Sequence, residues 1–444
     1  MTLRSADELL ALARRVLDRA ADCGEAEVRV TETASALTRF ANSAIHQNVA
    51  DTTLNLRVRI IEGGRSGVAE AQVGEPDGDA VERLVTTAEA VRADTPAGDV
   101  VHPLSPDRGA DSDAGYCEAT AAVTPEERAD AVAEVCAAAA QASQRAFGTY
   151  ETALRAVAMA STTGLARTSR QSTAELIALT RGDDGSAYAA RTASDARALD
   201  AGEVAREVTE RCRRNQNAMA VEPGEYEVIL SPYAVFEMLE YLSLMGLGGL
   251  AMLEQRSFMR IGERLMSDRI TVSDDVSQGR LSPLPFDGEG ATTRPVTLID
   301  RGVCAAVVHD SVTAARAGTT TTGHSFPQPN SEGPFPHHLC LSAGDDSVDS
   351  MVRSCKRGLM LTRLWYVRAV HPLQTIITGM TRDGTFLVEQ GRVVRPVRDL
   401  RFTQSVVAAL SDVRGVGSEH IASRGYFGAG LAPWLHLGRF AFTS

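Results

Sequence analysis

The chain opens on a helical pattern. Between residues 3 and 21 the apolar positions Leu9, Leu10, Leu12, Ala13, Val16, Leu17 and Ala20 recur every three or four residues, which puts them on one side of a helix. Ser5 or Thr2 can cap its start, and Cys23-Gly24 offers a left-handed exit. The period then drops to two. Residues 25–33, 35–48 and 52–62 alternate apolar and polar side chains, with Leu54, Leu56, Val58 and Ile60 on one face, as half-buried antiparallel strands do. Gly63-Gly64 marks a hairpin turn into a strand over 65–71, and residues 78–91 return to helical spacing.

Residues 94–116, rich in Pro, Asp, Gly and Ser, predict a linker or long surface loop. Thr124-Pro125-Glu126-Glu127 is a helix start, with a hydroxyl cap, proline in the first turn and acids at the positive end of the dipole; that helix should run to about Arg145. Alternation resumes over 149–161, 165–181 and 186–194, and a helix follows over 201–215. A strand at 226–230 leads through Pro232 into a helix ending near Met245. Beyond residue 270 short strand-like runs dominate, apart from a helix expected over 347–361. The expected fold is α+β. Residues 1–218 form a mixed N-terminal domain with antiparallel strands, and residues 219–444 a C-terminal domain of mostly antiparallel, barrel-like sheet.

Composition narrows the function. Of 444 residues 44% are hydrophobic, and 45 basic against 57 acidic residues leave a net charge of −12. An acidic surface argues against nucleic acid, which needs a cationic face. No apolar run is long enough for a membrane helix, and the first residues lack a signal peptide's apolar stretch. Seven scattered cysteines with no C-x-x-C suggest reduced thiols in the cytoplasm.

Few motifs carry chemistry by themselves. There is no P-loop, nucleophile elbow or EF-hand loop. Gly246, Gly248 and Gly249 follow a helix rather than a strand, which is the wrong context for a dinucleotide turn. Arg392, Arg395, Arg398 and Arg401 read as a solvated stripe. His337-His338-Leu339-Cys340 could put His338 and Cys340 on one face of a strand as two metal ligands, with His309, His324 or Asp310 completing the set. His46, His102 and His436 have no acid or thiol at metal spacing and are given no role.

A longer constellation occupies the second half. Phe286-Asp-Gly-Glu-Gly290 precedes Thr292-Thr293-Arg294 and Leu298-Ile-Asp-Arg-Gly302. Ser311, Ala314, Gly318 and then Thr322-Gly323-His324 follow at fixed spacing. Thr378-Gly379, Arg382, Phe386, Glu389, Gly391 and Pro396-Val397 close the series. In order and spacing these segments resemble the TldD/PmbA family of bacterial metalloproteases, and the strands of residues 35–67 with the turn Ser161-Thr-Thr-Gly164 are similar to its first domain.

The resemblance implies a heterodimer of two branches. The catalytic TldD branch holds zinc through H-E-x-x-x-H on the helix after the first strand of its second domain, plus a late cysteine. Imidazoles and a thiolate fix the ion, an open position takes water, and a carboxylate accepts the water's proton. Here that helix carries Phe236 and Tyr241 where the histidines belong, and only Glu237 remains. The segment Ile421-Ala-Ser-Arg-Gly-Tyr426 has no cysteine. The resemblance therefore implies the TldE (PmbA) branch, with no catalytic residue and no metal in this chain and with zinc in the partner subunit. Phe236, Glu237 and Tyr241 are expected to face a cavity or the partner, and His324 and His338 to contact substrate. The peptide GFWIENG of the family is Gly384-Thr-Phe-Leu-Val-Glu-Gln-Gly391 here, and residues 325–338 are proline-rich. These departures fit a specialised paralogue acting on a small amide, such as an N-deacetylase of antibiotic biosynthesis, as well as a peptidase on unfolded chains. The rival expectations are a standalone metal hydrolase using His337, His338 and Cys340, and a homodimeric binding or scaffold protein.

Overall fold

The structure, a computed structural model, describes residues 1–98, 104, 105, 107, 109, 111–275 and 281–444. His102 lies outside the described residues. The first half contains α1 (Ala6–Ala20), β1 (Glu25–Ala41), β2 (Ala44–Glu62), β3 (Arg65–Val73), α2 (Gly78–Asp94), β4 (Ser112–Gly115), α3 (Glu118–Ala122), α4 (Pro125–Gln141), β5 (Arg145–Ser161), β6 (Ala166–Arg181), β7 (Ser186–Ala193) and α5 (Ala201–Arg214). Its sheet runs β3-β2-β1-β5-β6-β4, with β7 also on β6. The helix starts follow their sequence signals: Ser5 with Glu8, and Thr124 with Glu127, form reciprocal capping boxes.

Two expectations about this half are corrected. The alternating run does not break near residue 34: β1 continues to Ala41 and turns back through Asn42 and Ser43, both at positive φ (51° and 60°). That is the two-residue turn whose twist suits a hairpin, carried here without a glycine. The stretch 94–116 is not all loop, because Ser112–Gly115 adds to β6 as a parallel strand.

The sheet's two faces differ in chemistry. Val28, Val30, Leu56, Val58 and Ile60 meet α1 and α2 in one cluster, and Tyr150, Leu176 and Phe40 meet α4 and α5 in another. The alternate positions carry Glu27, Arg29, Arg57, Arg59, Arg155 and Arg167. On this charged face Val157 and Met159 pack on Phe286 of the second domain, and Arg167 lies over the Phe286 ring at 4.7 Å and donates to Gly290 O at 3.1 Å.

The second half contains β8 (Gly224–Leu230), α6 (Pro232–Gly246), α7 (Gly249–Leu253), β9 (Val272–Asp274), β10 (Val296–Asp300), β11 (Val303–Cys304), α8 (Ser311–Ala317), β12 (His338–Leu341), α9 (Val348–Ser354), β13 (Arg357–His371), β14 (Ile376–Glu389), β15 (Arg392–Val397), β16 (Arg401–Ser405), α10 (Val406–Ser411), β17 (Val413–Arg424) and β18 (Ala429–Phe442). The sheet path β11-β10-β9-β12-β18-β16-β14-β13-β8 returns on itself because β8 also pairs with β18, so five strands close a ring. Most pairs are antiparallel, while β12–β18 and β13–β8 are parallel. The helix expected over 347–361 is shorter: α9 ends at Ser354, and Gly358–Leu361 pair instead with Glu227–Leu230, since ladder bonds to a buried strand outweigh local helical spacing.

α2 lies close on β3 because position 67 has no side chain. A Cβ at Gly67 would sit 2.1 Å from Ala88 O and 2.3 Å from Arg92 N, both helix backbone atoms. Gly67→Ala should therefore destabilise the chain by about 1–3 kcal/mol through overpacking. Urea denaturation measures it, and a stability equal to wild type would contradict this packing.

Candidate functional site

Local chemistry sets the passage from β8 into α6. The Ser231 hydroxyl donates to Thr362 O, and Pro232, lacking a backbone N–H, opens the helix. Tyr233, Phe236 or Glu237, and Glu240 or Tyr241 then follow at three- and four-residue steps and share a side of α6. Tyr233, Phe236, Glu237 and Tyr241 line a cavity of about 590 Å³. Its opposite wall comes from the first domain, through Glu151, Glu175, Tyr188 and Thr192; residues 363–368 of β13 and 422–426 of the β17 end complete it.

Several polar side chains on these walls are held by protein partners. The Tyr233 hydroxyl accepts from Ala190 N at 3.1 Å and from Arg191 Nη1 at 3.0 Å, tying α6 to β7. Burial, reinforced by the Glu207 carboxylate, pushes its phenol up to about 12, so it stays neutral. Tyr241 donates to Val367 O. Arg363 reaches Asp383 Oδ2 from Nε at 2.7 Å and from Nη2 at 2.6 Å, and Ser186 donates to the other oxygen at 2.6 Å. Its guanidinium lies over Tyr188 at 4.2 Å and Trp365 at 4.7 Å. Glu237 is pushed up by burial and drawn back by Arg363 and Arg368. Glu175 is likewise raised by burial, against Arg424 at 3.7 Å. The cavity thus alternates carboxylates, arginines and aromatic faces, a lining that can hydrogen-bond an amide group and stack on flat or apolar substituents.

Glu240, just behind this wall, is buried and accepts from Phe427 N at 3.0 Å. Gly425 packs against it so closely that a Cβ there would lie 2.0 Å from Oε2. Burial, which the Phe427 N–H only partly counters, and the charge of Glu237 raise Glu240 to about 7.

The other sequence-predicted residues lie elsewhere. His324 is fully buried, its Nδ1 2.9 Å from Thr322 O and its Nε2 3.3 Å from Asp274 Oδ1, and it stacks on His337 at 5.7 Å. Asp274 also accepts from His338 N, at 2.9 Å. Burial opposes ionisation of Asp274, yet the bond and charge of His324 hold it down to about 2; burial drives His337 down to about 3. His338 Nε2 lies 3.0 Å from Ser282 O. His324 and His338 do not line the cavity, so the substrate contact expected of them has no counterpart in this geometry. Cys340 packs on Ala422 and Leu431, and its thiol is turned to Asp275 O at 3.6 Å. Among the described residues His337, His338 and Cys340 do not converge as a three-ligand set. In the turn Phe286–Gly290, Gly290 adopts positive φ (78°), whereas Gly288 is required by the Phe326 and Pro327 backbone, 2.2 Å from where its Cβ would be.

Sequence reading missed Glu175, Tyr188, Arg363, Asp383 and Glu240. Glu240 could have been found, lying one helical turn beyond Phe236. Arg363 and Asp383 meet through the pairing of β13 with β14, and Glu175 and Tyr188 reach them only through the docking of the two sheets, which no local spacing records.

A strand-to-helix entry facing a cavity between two sheets, one closed into a ring and the other backed by helices, defines the class of scaffold. The chain belongs to the PmbA/TldD family: the model for the PmbA/TldA metallopeptidase C-terminal domain matches residues 223–444, half of the chain, and that for PmbA/TldA metallopeptidase domain 1 matches residues 26–92. A metalloprotease of Methanothermobacter thermautotrophicus is 24% identical over 178 residues, 38% of this chain and 37% of that protein. A TldD homologue from Haemophilus influenzae, also named a metalloprotease, is 24% identical over 36% of this chain and 33% of its own length. The chain thus matches about a third of the length of these curated relatives. The crystal structure of TldE from Thermococcus kodakarensis shares the fold, with a TM-score of 0.86 at 17% identity, covering 99% of this chain and 100% of the other.

A metallopeptidase family implies zinc, and the cavity does not fit it. Zinc sites draw on imidazole, thiolate and carboxylate. Among the described residues the lining offers carboxylates but no histidine or cysteine, Phe236 presents a hydrocarbon ring, and the Tyr241 phenol is committed to Val367 O.

A pH effect follows from Glu240. A carboxyl whose folded pKa is raised binds more protons folded than unfolded between about 4.5 and about 7, so its contribution to stability falls as pH rises through that window. Glu240→Gln keeps the acceptor for Phe427 N but cannot ionise. The stability of Glu240→Gln relative to wild type should rise between pH 5 and pH 8 in denaturation experiments; parallel profiles would refute the assignment.

Proposed function

We propose that this chain is the non-catalytic, TldE-like subunit of a heterodimeric zinc-dependent amide hydrolase. A TldD-like partner carrying His-Glu-x-x-x-His supplies the metal, and this chain shapes the cavity and the interface. The observation that carries this reading is the lining of the α6 cavity. At the positions where the family's catalytic branch places two histidines stand an aromatic ring and a hydrogen-bonded phenol, with Ser423, Arg424 and Gly425 opposite them. The group the partner holds would polarise the amide carbonyl and activate water. The residues of this chain bind and orient: Arg363, fixed by Asp383, and Arg368 offer donors to carbonyl or carboxylate oxygens, and Tyr188 and Trp365 offer flat faces.

The mouth of the cavity supports an interface. Tyr366 is 69% exposed and Tyr426 93%, beside the half-exposed Trp365 and Phe427. Exposed aromatic rings of this kind anchor protein contacts. The substrate class is an amide bond in an unfolded peptide or a small metabolite, and acyl removal from the metabolite would make the pair an N-deacetylase. The absence, among the described residues, of a helix long and apolar enough to cross a membrane agrees with a cytoplasmic setting.

The test is turnover by the chain alone and with a coexpressed TldD-like subunit, on an unfolded peptide and on an N-acetylated small amide. The chain alone should hydrolyse neither, the pair one of them. Tyr366→Ala combined with Tyr426→Ala should weaken the pairing by about 2 kcal/mol or more in a binding titration. Efficient hydrolysis by the single chain would overturn the proposal; its zinc content would not, for the reason that follows.

A further inference from the structure

His436, given no role on sequence grounds, meets both an acid and a thiol in the fold. Glu227 leaves β8 beside Ile229, on the face opposite Val228 and Leu230 and therefore away from α6. His436 leaves β18 between Leu435 and Leu437, which face the α6 core, and so joins Glu227 on the outer face. Cys355 closes α9 over the same spot and packs with Ile229 and Met351. The carboxylate oxygen, the thiol sulfur and an imidazole nitrogen lie within 4.8 Å of one another, the one such set of three among the described residues.

We propose that Glu227, Cys355 and His436 bind a single divalent ion of the zinc class on the outer face of the C-terminal sheet. The donor types are those zinc prefers, one nitrogen, one sulfur and one oxygen, with a fourth position left for water. His436 Nε2 stands 3.1 Å from Glu227 Oε2, close to the separation of two ligands on one tetrahedral ion. The other ring nitrogen is oriented for the task. Ser354 donates its hydroxyl proton to Met351 O at 2.9 Å, so towards His436 Nδ1, 3.4 Å away, its oxygen can only accept. Nδ1 then keeps the ring proton, and the Nε2 lone pair faces the carboxylate. Two acceptors this close are bridged by a proton or by a cation, and a zinc-class ion held also by the neighbouring sulfur would take the proton's place.

Charge and space agree. A thiolate and a carboxylate neutralise a divalent ion, and Arg414 sits on the second oxygen, Glu227 Oε1, at 2.9 Å with its own side chain half in solvent. Cys355 and His436 are buried, at 0% and 1% exposure, so the ion would be shielded from competing water. Room for the sulfur depends on Gly358, where a Cβ would come 2.7 Å from Cys355 Sγ. Binding exchanges the S–H bond for a sulfur–metal bond. The proton leaves to solvent and no oxidation state changes.

The site stands apart from the α6 cavity and does not depend on the proposed subunit role. It is tested on the full chain, reduced and freed of metal by chelator, titrated with Zn²⁺ or Co²⁺. One equivalent should bind, Co²⁺ should develop a thiolate charge-transfer absorption, and the zinc X-ray absorption spectrum should show one sulfur and an imidazole. Cys355→Ser should remove the cobalt band and weaken zinc binding by about tenfold or more. Cys340→Ser, a buried thiol outside the set, should leave both unchanged. A zinc shell without sulfur in the wild-type chain, or a cobalt band that survives in folded Cys355→Ser, would overturn the proposal. Because the X-ray measurement needs no variant, a misfolded Cys355→Ser would not shelter it.

Discussion

α6 has almost no wet side. Twelve of its fifteen residues are buried, against β13 and β18 of its own domain and, through Tyr233, against β7 of the other. A helix so enclosed depends on protein partners for its polar groups, because little water reaches them. The Tyr233 and Tyr241 hydroxyls and the Glu240 carboxylate are each bonded to the backbone of a different neighbour. The aromatic residues at positions 236 and 241 belong to this enclosure. Phe236 is tightly packed: its ring edge comes within 2.6 Å of where a side chain at Gly430 would begin.

The second constraint is the charged face between the domains. Arginines 29, 57, 59, 155 and 167 line the side of the first sheet that meets Asp287, Glu289 and the 325–328 turn. Asp287 accepts N–H groups from Glu289, Ala291 and Ser325 at 2.8–2.9 Å, yet burial and the neighbouring Glu289 still raise it to about 7. A buried arginine left without its partner costs several kcal/mol. Arg57 donates across to Gln328 O and Arg167 to Gly290 O, so a shift in the docking of the two sheets would break these bonds.

Much of this architecture was legible in order of residues alone. Hairpin glycines 63 and 64, the capping box at Thr124 and the Pro232 helix start each name a local geometry that the fold adopts. The failures share a cause. Asn42-Ser43 turns without glycine, and Leu359–Leu361 abandons helical spacing because a parallel ladder with β8 is available from far along the chain. Of the cavity, one wall was readable because α6 follows a strand and carries its aromatics at helical intervals. The opposite wall comes from β5, β6 and β7, and the Glu227, Cys355 and His436 cluster from three distant segments. Proximity of that kind is written in topology and not in spacing.

β18 pairs with β8, β12, β16 and β17, and α6 packs directly on it. Nearly the whole second domain is threaded between β8 and the strand that closes its ring. A ribosome delivering this chain would release the first sheet and its helices ready to fold, while α6, apolar around most of its circumference, waits without its cover. The interval between translation of Met245 and translation of Leu435 is thus the period of greatest exposure to aggregation and the moment when a chaperone would be most useful.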